Sequence, residues 1–397
     1  MSQITPTSWA RAGFGMFAVG FGANLFAPML HVYRNEHGSS DAALTAMLGA
    51  YAVGLIPSLL FFGALSDREG RKAVMLPGLF VSMLGSAVLA MGAFGVDWPL
   101  FIGRVIIGVS VGMGMASGTA WINQLSTDNL RAGPTRSTIA VSGGFGFGPL
   151  LSGLVAEFAP APQITPYVVH IALTVLAIFL VRNLPETQER SDVRRQLVPP
   201  TVLTKQFFWA IAAWAPWSFG VTTTAFASTP ANVPVTVNWP LAFLGVLAFL
   251  TPLAGVLIQP VATRLGAGTG QRPLPLATVG LGLAALGLLV TIATVLTESM
   301  GLMLLAAFVL GGSYGIMMVG GISQAKLHAP PEQLGGVIGV FYSLAYLGFF
   351  IPFVTSLVVS TITHLAGVDN QQAYIWVLIF GMAVCAVSIR PVARASK

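Results

Sequence analysis

Apolar residues run along this chain in long blocks separated by short polar stretches. The blocks fall at about 12–33, 44–66, 73–95, 98–122, 137–159 and 166–182, then at about 207–228, 240–262, 273–296, 300–323, 336–360 and 373–389. Each is close to the roughly 20 residues that carry an α-helix across the hydrocarbon core of a bilayer. None shows the period-two alternation of a membrane barrel strand. Lipid offers the backbone no hydrogen-bond partner, so helices are the spanning structure that remains. The pattern predicts an all-α integral membrane protein of twelve transmembrane helices.

The longest polar stretch, Arg182 to Gln206, carries Glu186, Glu189, Arg190, Asp192, Arg194, Arg195, Pro199 and Pro200. It reads as a linker. The expected organisation is a six-helix bundle over 1–182, a cytoplasmic linker over 183–206 and a second six-helix bundle over 207–397. The halves echo each other: Thr263-Arg264-Leu265-Gly266 follows the eighth segment as Asp67-Arg68-Glu69-Gly70 follows the second. Gly108-x3-Gly112 in the fourth segment is matched by Gly311-x3-Gly315 in the tenth, and Ile122-Asn123-Gln124 by Ile322-Ser323-Gln324. Paired signals of this kind predict duplicated bundles with the solute path between them.

Composition sharpens the picture. Of 397 residues 55% are hydrophobic and 8% charged, against roughly 25% charged in soluble domains. The excess of positive charge does not suggest nucleic acid, because nearly all of it falls in short loops. With both ends on one side, that side holds seventeen Lys and Arg: Arg11, Arg68, Arg71, Lys72, Arg131, Arg136, Arg182, Arg190, Arg194, Arg195, Lys205, Arg264, Arg272, Lys326, Arg390, Arg394 and Lys397. The other side holds Arg34. The positive-inside rule therefore places both termini and the linker in the cytoplasm. The expected location is a bacterial inner membrane. The first segment continues to Tyr33 without a small-residue cleavage site, and reads as a spanning helix and not a removed leader. Cys385, the one cysteine, permits no internal disulfide.

The loop after the second segment reads Gly63-Ala-Leu65-Ser66-Asp67-Arg68-Glu69-Gly70-Arg71-Lys72. Gly63 would let a helix end approach a neighbour, Gly70 would permit a tight turn, and Asp67 is an anion suited to a helix N-terminus. A solvated, positive-inside loop is the plainer reading for Arg71 and Lys72 alone. Arg104 is the charge set inside a segment; it is expected either to face the interior with a function or to snorkel outward, being near Asp97. The fifth segment reads Gly143-Gly144-Phe-Gly146-Phe-Gly148-Pro149-Leu-Leu-Ser152-Gly153, small residues that let helices pack closely around a proline bend.

The ten-residue loop closely resembles the signature G-x-L-a-D-r-x-G-r-k of the major facilitator superfamily. Leu100-x3-Arg104-x3-Gly108 resembles its second signature, with Ile107 where a Gln is usual. The fifth segment resembles G-x3-G-P-x2-G-G of the family's twelve-helix drug exporters, the drug:proton antiporter group, with Gly144, Gly148, Pro149 and Gly153 matching and Ser152 standing at one Gly position. The resemblance implies two pseudo-symmetric six-helix bundles, a latch formed by Gly63, Asp67, Arg68, Gly70, Arg71 and Lys72 with Asp67 against Gly335–Gly336, and a role for Arg104 in coupling. It implies a cavity lined by segments 1, 4, 7 and 10. The polar and aromatic candidates there are Asn24, Ser117, Asn123, Trp214, Trp217, Thr222 and Tyr314, with Tyr342 and Tyr346 close by; about a third are expected to touch substrate. Such a lining suits a neutral or lipophilic small molecule.

By these boundaries no Asp or Glu lies in a segment core, and Asn24 cannot titrate. The remaining candidates for proton coupling are Asp41, Glu157, His31 and His170, of which His170 reads as structural. The histidines show no metal-ligand spacing and no nucleotide loop is present, so no enzyme, metal or cofactor is expected. The expected function is secondary transport by a monomer, exporting small neutral or lipophilic compounds, with protons as the exchanged partner. The alternative is uptake of a metabolite; a sensor or scaffold is the third reading.

Overall fold

The structure is a computed structural model describing residues 5–128, 132–188, 198–267, 275–330 and 333–395. Arg131, Glu189, Arg190, Asp192, Arg194, Arg195, Arg272 and Lys397 lie outside the described residues. Among those described, every regular element is helical, and ten apolar helical spans are long enough to cross a membrane, two of which, Ser8–His37 and Leu334–Ala366, each comprise two helices in succession.

The chain divides into two compact units, Met1–Ser40 with Ala50–Leu197, and Asp41–Gly49 with Val198–Lys397. In the first unit the helices are α1 (Ser8–Asn24), α2 (Phe26–His37), α3 (Asp41–Glu69, of which residues 50–69 belong here), α4 (Arg71–Ala90), α5 (Trp98–Leu125), α6 (Gly133–Phe158) and α7 (Thr165–Val181). In the second they are α8 (Ala215–Thr223), α9 (Pro240–Ala267), α10 (Leu276–Thr297), α11 (Met300–His328), α12 (Leu334–Tyr346), α13 (Ile351–Ala366) and α14 (Asn370–Ala395).

Three of the expected segments are interrupted. The eleventh, Leu334–Ala366, is parted at Leu347–Phe350 into α12 and α13. The first, one apolar span over Ser8–His37, is parted at Leu25 into α1 and α2. Pro28 has no N–H for the carbonyl one turn back, which weakens the ladder at this point. The seventh segment, expected as a continuous helix over 207–228, is interrupted repeatedly. Phe208–Ala212 and Thr224–Ser228 are π-helical on either side of α8. The N–H of Ala213 reaches the Phe208 carbonyl at 2.8 Å, and Pro216 and Pro230 each open a new helical stretch. Prolines and π-bulges are recognised causes of such kinks.

Glycine contacts build both units. In the first, a Cβ on Gly108 would run into the Tyr51 carbonyl of α3, and one on Gly112 into Ser58. In the second, a Cβ on Gly311 would strike the Thr251 carbonyl of α9, and one on Gly315 that of Gly255. Likewise Gly85 of α4 faces Ile107 of α5, while Gly287 of α10 faces Leu310 of α11. The same small-residue contacts thus recur between corresponding helices of each unit, and they bring backbones within van der Waals reach, as packing in lipid requires.

Candidate functional site

The break in the first segment is held from two sides. Arg104 of α5 is fully buried and does not snorkel: its Nη1 donates to the Ala23 carbonyl at 2.7 Å. Its guanidinium lies over the rings of Phe26 and Tyr51, 5.0 and 4.7 Å from their centroids. Burying a cation in this way is costly unless hydrogen bonds and ring faces replace its water. From α6, the Ser152 hydroxyl donates to the Leu25 carbonyl at 2.7 Å. Two polar side chains therefore satisfy main-chain groups around the break. Asn24, at the end of α1, donates to the Phe145 carbonyl of α6 at 3.3 Å.

Gly144 and Gly148 lie directly against the backbone of α1. A Cβ on Gly144 would collide with the Phe17 carbonyl, and one on Gly148 with that of Phe21. Pro149 and Gly153 are buried on the same helix. The exporter-like sequence in α6 is thus the face on which α1 rests.

At the end of α3 the Asp67 carboxylate pairs with Arg71 Nη1 at 2.6 Å, and that nitrogen also donates to Ser66 Oγ at 3.1 Å. Arg68 pairs locally with Glu69 at 3.0 Å. Gly70 has φ +116°, a conformation that favours glycine. A Cβ there would also enter the carboxylate of Glu186. A Cβ on Gly63 would meet nothing within 4 Å among the described residues.

Glu186 is the residue that sequence reasoning missed. Its two carboxylate oxygens accept the N–H groups of Arg71 and Lys72, each at 2.9 Å, and so cap α4. Around it, Lys72 Nζ donates to the Leu184 carbonyl at 3.1 Å, Trp121 Nε1 to Pro185 at 3.2 Å, and Thr187 Oγ1 to Gln124 Oε1 at 2.6 Å. The beginning of the expected linker is therefore fastened to the loop signature. An acid one turn beyond an apolar segment was the available signal.

Of the titratable candidates, His31 bonds to Asn35 at 2.9 Å and has Arg34 and Glu157 within electrostatic reach. Asp41 opens α3, where its carbonyl accepts Thr45 Oγ1 at 2.6 Å. His170 is fully buried, with Ser86 Oγ 2.6 Å from Nδ1 and the Ala18 carbonyl 3.0 Å from Nε2. Its ring stacks on Phe21, and it joins α7 to α1 and α4.

The expected cavity residues scatter. Ser117 is buried and bonds to its own helix at Met113 and to Met75 of α4. Asn123 donates to Thr119 at 2.7 Å. Trp214 is buried, donates to Ala210 at 2.7 Å and tilts against Phe341 of α12. Trp217 lies against the surface of α14 at Gly381, and the Thr222 hydroxyl donates to Phe219 at 2.8 Å. Tyr314 and Tyr346 do come together, through Phe219: Tyr346 stacks on it at 4.5 Å and 13°, and Tyr314 lies 5.2 Å away. Phe349 joins them at 5.4 Å, and Tyr342 stands beside Phe341. Phe219 and Phe349 were not singled out, because isolated phenylalanines in apolar runs carry no signal.

Comparison with known proteins bears on this geometry. A family profile described as Major Facilitator Superfamily matches residues 12–353. Multidrug resistance protein MdtG of Proteus mirabilis (strain HI4320) is 28% identical over 294 residues, 69% of this chain and 70% of that protein. Quinolone resistance protein NorA of Staphylococcus aureus is 29% identical over 195 residues, 48% of this chain and 49% of that protein. Among solved structures, a POT family transporter in complex with 5-aminolevulinic acid superposes with TM-score 0.78 at 13% identity, covering 99% of this chain and 97% of that one. A D-xylose-proton symporter gives 0.72 at 12% identity, covering 98% of each.

Proposed function

Because the chain belongs to the major facilitator superfamily, and is a multi-pass membrane transporter and not an enzyme, we propose that it exports small neutral or lipophilic compounds by alternating access. In this reading twelve spanning helices form two pseudo-symmetric bundles, 1–182 and 207–397, in a bacterial inner membrane, with both termini cytoplasmic. The working unit is a monomer, and protons are the exchanged partner.

The observation that carries the export reading is the seating of α1 on Gly144 and Gly148 beside Pro149. This is where the exporter-like signature falls, and its glycines meet main chain. A generic packing stripe would tolerate alanine at some of these positions; glycines against carbonyl oxygens do not. The two curated relatives named for drug resistance support the same substrate class. The aromatic cluster of Phe219, Tyr314, Tyr346 and Phe349 supplies stacking surface of the kind such compounds need.

Accumulation of lipophilic fluorescent dyes in cells with and without the protein tests the proposal. Export predicts lower accumulation when the protein is present, restored by collapsing the proton gradient. Higher accumulation would instead establish the uptake reading. Proteoliposomes with and without an imposed pH gradient then test proton exchange separately.

A further inference from the structure

The end of the first unit away from its basic loops contains a chain of polar contacts that none of the roles above uses. His37 closes α2 and its side chain is 5% exposed. Its Nε2 lies 2.8 Å from Gln163 Oε1, and the other end of that amide, Nε2, donates to the Glu36 carboxylate. An amide nitrogen must face the carboxylate, so the amide oxygen faces the imidazole, and His37 Nε2 must carry a hydrogen. When the ring is neutral, Nδ1 is then a bare lone pair. That atom is buried and makes no hydrogen bond, while Asp97 Oδ1 stands 3.7 Å away and accepts Ser39 Oγ at 2.8 Å. A lone pair facing a carboxylate is poorly placed; an N–H⁺ is well placed.

Other ionisable groups on the surrounding elements are Arg34 on α2, Glu157 near the end of α6 and Tyr167 on α7. The Tyr33 ring packs on His37 at 5.1 Å, and its hydroxyl is 2.6 Å from that of Tyr167.

We propose that His37 and Asp97 form a proton-binding site: a proton arriving through the partly exposed Asp97 carboxylate binds His37 Nδ1. The resulting imidazolium ties the end of α2 to the start of α5 and, through Gln163, to the connection before α7. The ligand is the proton itself, and its binding draws three chain segments together at one end of the unit. The claim does not depend on which solute the protein carries.

Hydrogen exchange read by mass spectrometry on the intact protein in nanodiscs tests it, following peptides that cover residues 34–42. The quantity is the exchange rate of the wild type divided by that of His37→Gln at the same pH, so the intrinsic pH dependence cancels. Between about pH 8 and about pH 5.5, where an imidazole titrates, the ratio should fall several-fold, and Asp97→Asn should abolish the fall. A ratio that stays constant across this range overturns the proposal. Should either variant not fold, histidine-labelled wild-type protein gives the answer by NMR. A His37 imidazole that stays neutral down to about pH 5.5 rejects the site; one that becomes imidazolium with Nε2–H retained supports it.

Discussion

The carboxylate of Glu186 caps the helix that begins at Arg71: one oxygen accepts the Arg71 N–H at 2.9 Å and the other accepts that of Lys72 at the same distance. The cap comes from a residue 115 positions away, so it ties tertiary structure to the start of α4. Removing it as Glu186→Ala should destabilise the protein by about 0.5–1 kcal/mol, the lower part of the capping range because the group is solvent-accessible. Glu186→Gln should lose less. Thermal unfolding in detergent measures both, and equal stability of all three proteins would argue that the cap is idle.

Ser152→Ala leaves the Leu25 carbonyl without its side-chain donor inside the bundle. As the residue preceding α2, Leu25 keeps the first main-chain bond of that helix, so losing the side-chain bond costs about 0.5–1.5 kcal/mol. Reduced thermal stability is expected from Ser152→Gly as well, although glycine is the residue the exporter signature carries there. A gain in stability from glycine would contradict this account.

Gly148 and Gly63 should behave oppositely. Gly148→Leu drives a side chain into the Phe21 backbone, and the yield of folded protein should fall sharply, as read by size-exclusion fluorescence of a fusion. Gly63→Ala meets empty space inside a helix and should stabilise by roughly 0.5–1 kcal/mol. If Gly63 belongs to the latch, the same variant should turn over more slowly despite its stability.

Asp67→Asn should insert and fold normally while transporting more slowly, because it removes the carboxylate partner of Arg71 and acts on the balance between conformations. Initial rates in proteoliposomes, normalised to inserted protein, decide it. Unchanged rates would remove Asp67 from the mechanism.

The segments, the small-residue contacts and the turn at Gly70 were legible because each depends on local sequence: apolar length, glycine spacing, a required positive φ. The interrupted segments were harder. Pro28, Pro216 and Pro230 were visible, yet proline inside a membrane helix is tolerated whenever neighbours re-satisfy the backbone. Those neighbours, Arg104 and Ser152, are remote in sequence. Trp214 and Ser117 drew notice as polar atoms in apolar runs, but both satisfy their polar atoms on their own helices, a choice residue type does not reveal. Glu186 was invisible as a cap because it lies beyond the helix it follows and serves a different one.

The interruption at Leu25 makes the first segment's integrity a property held in common by three helices. Restoring the missing donor with Pro28→Ala would give the Asn24 carbonyl its main-chain partner and let α1 and α2 knit into one rod, while Ser152 would keep its own acceptor at Leu25. Losses from Ser152→Ala should therefore persist in the Pro28→Ala background. The lesion in one helix is written into the sequence of another.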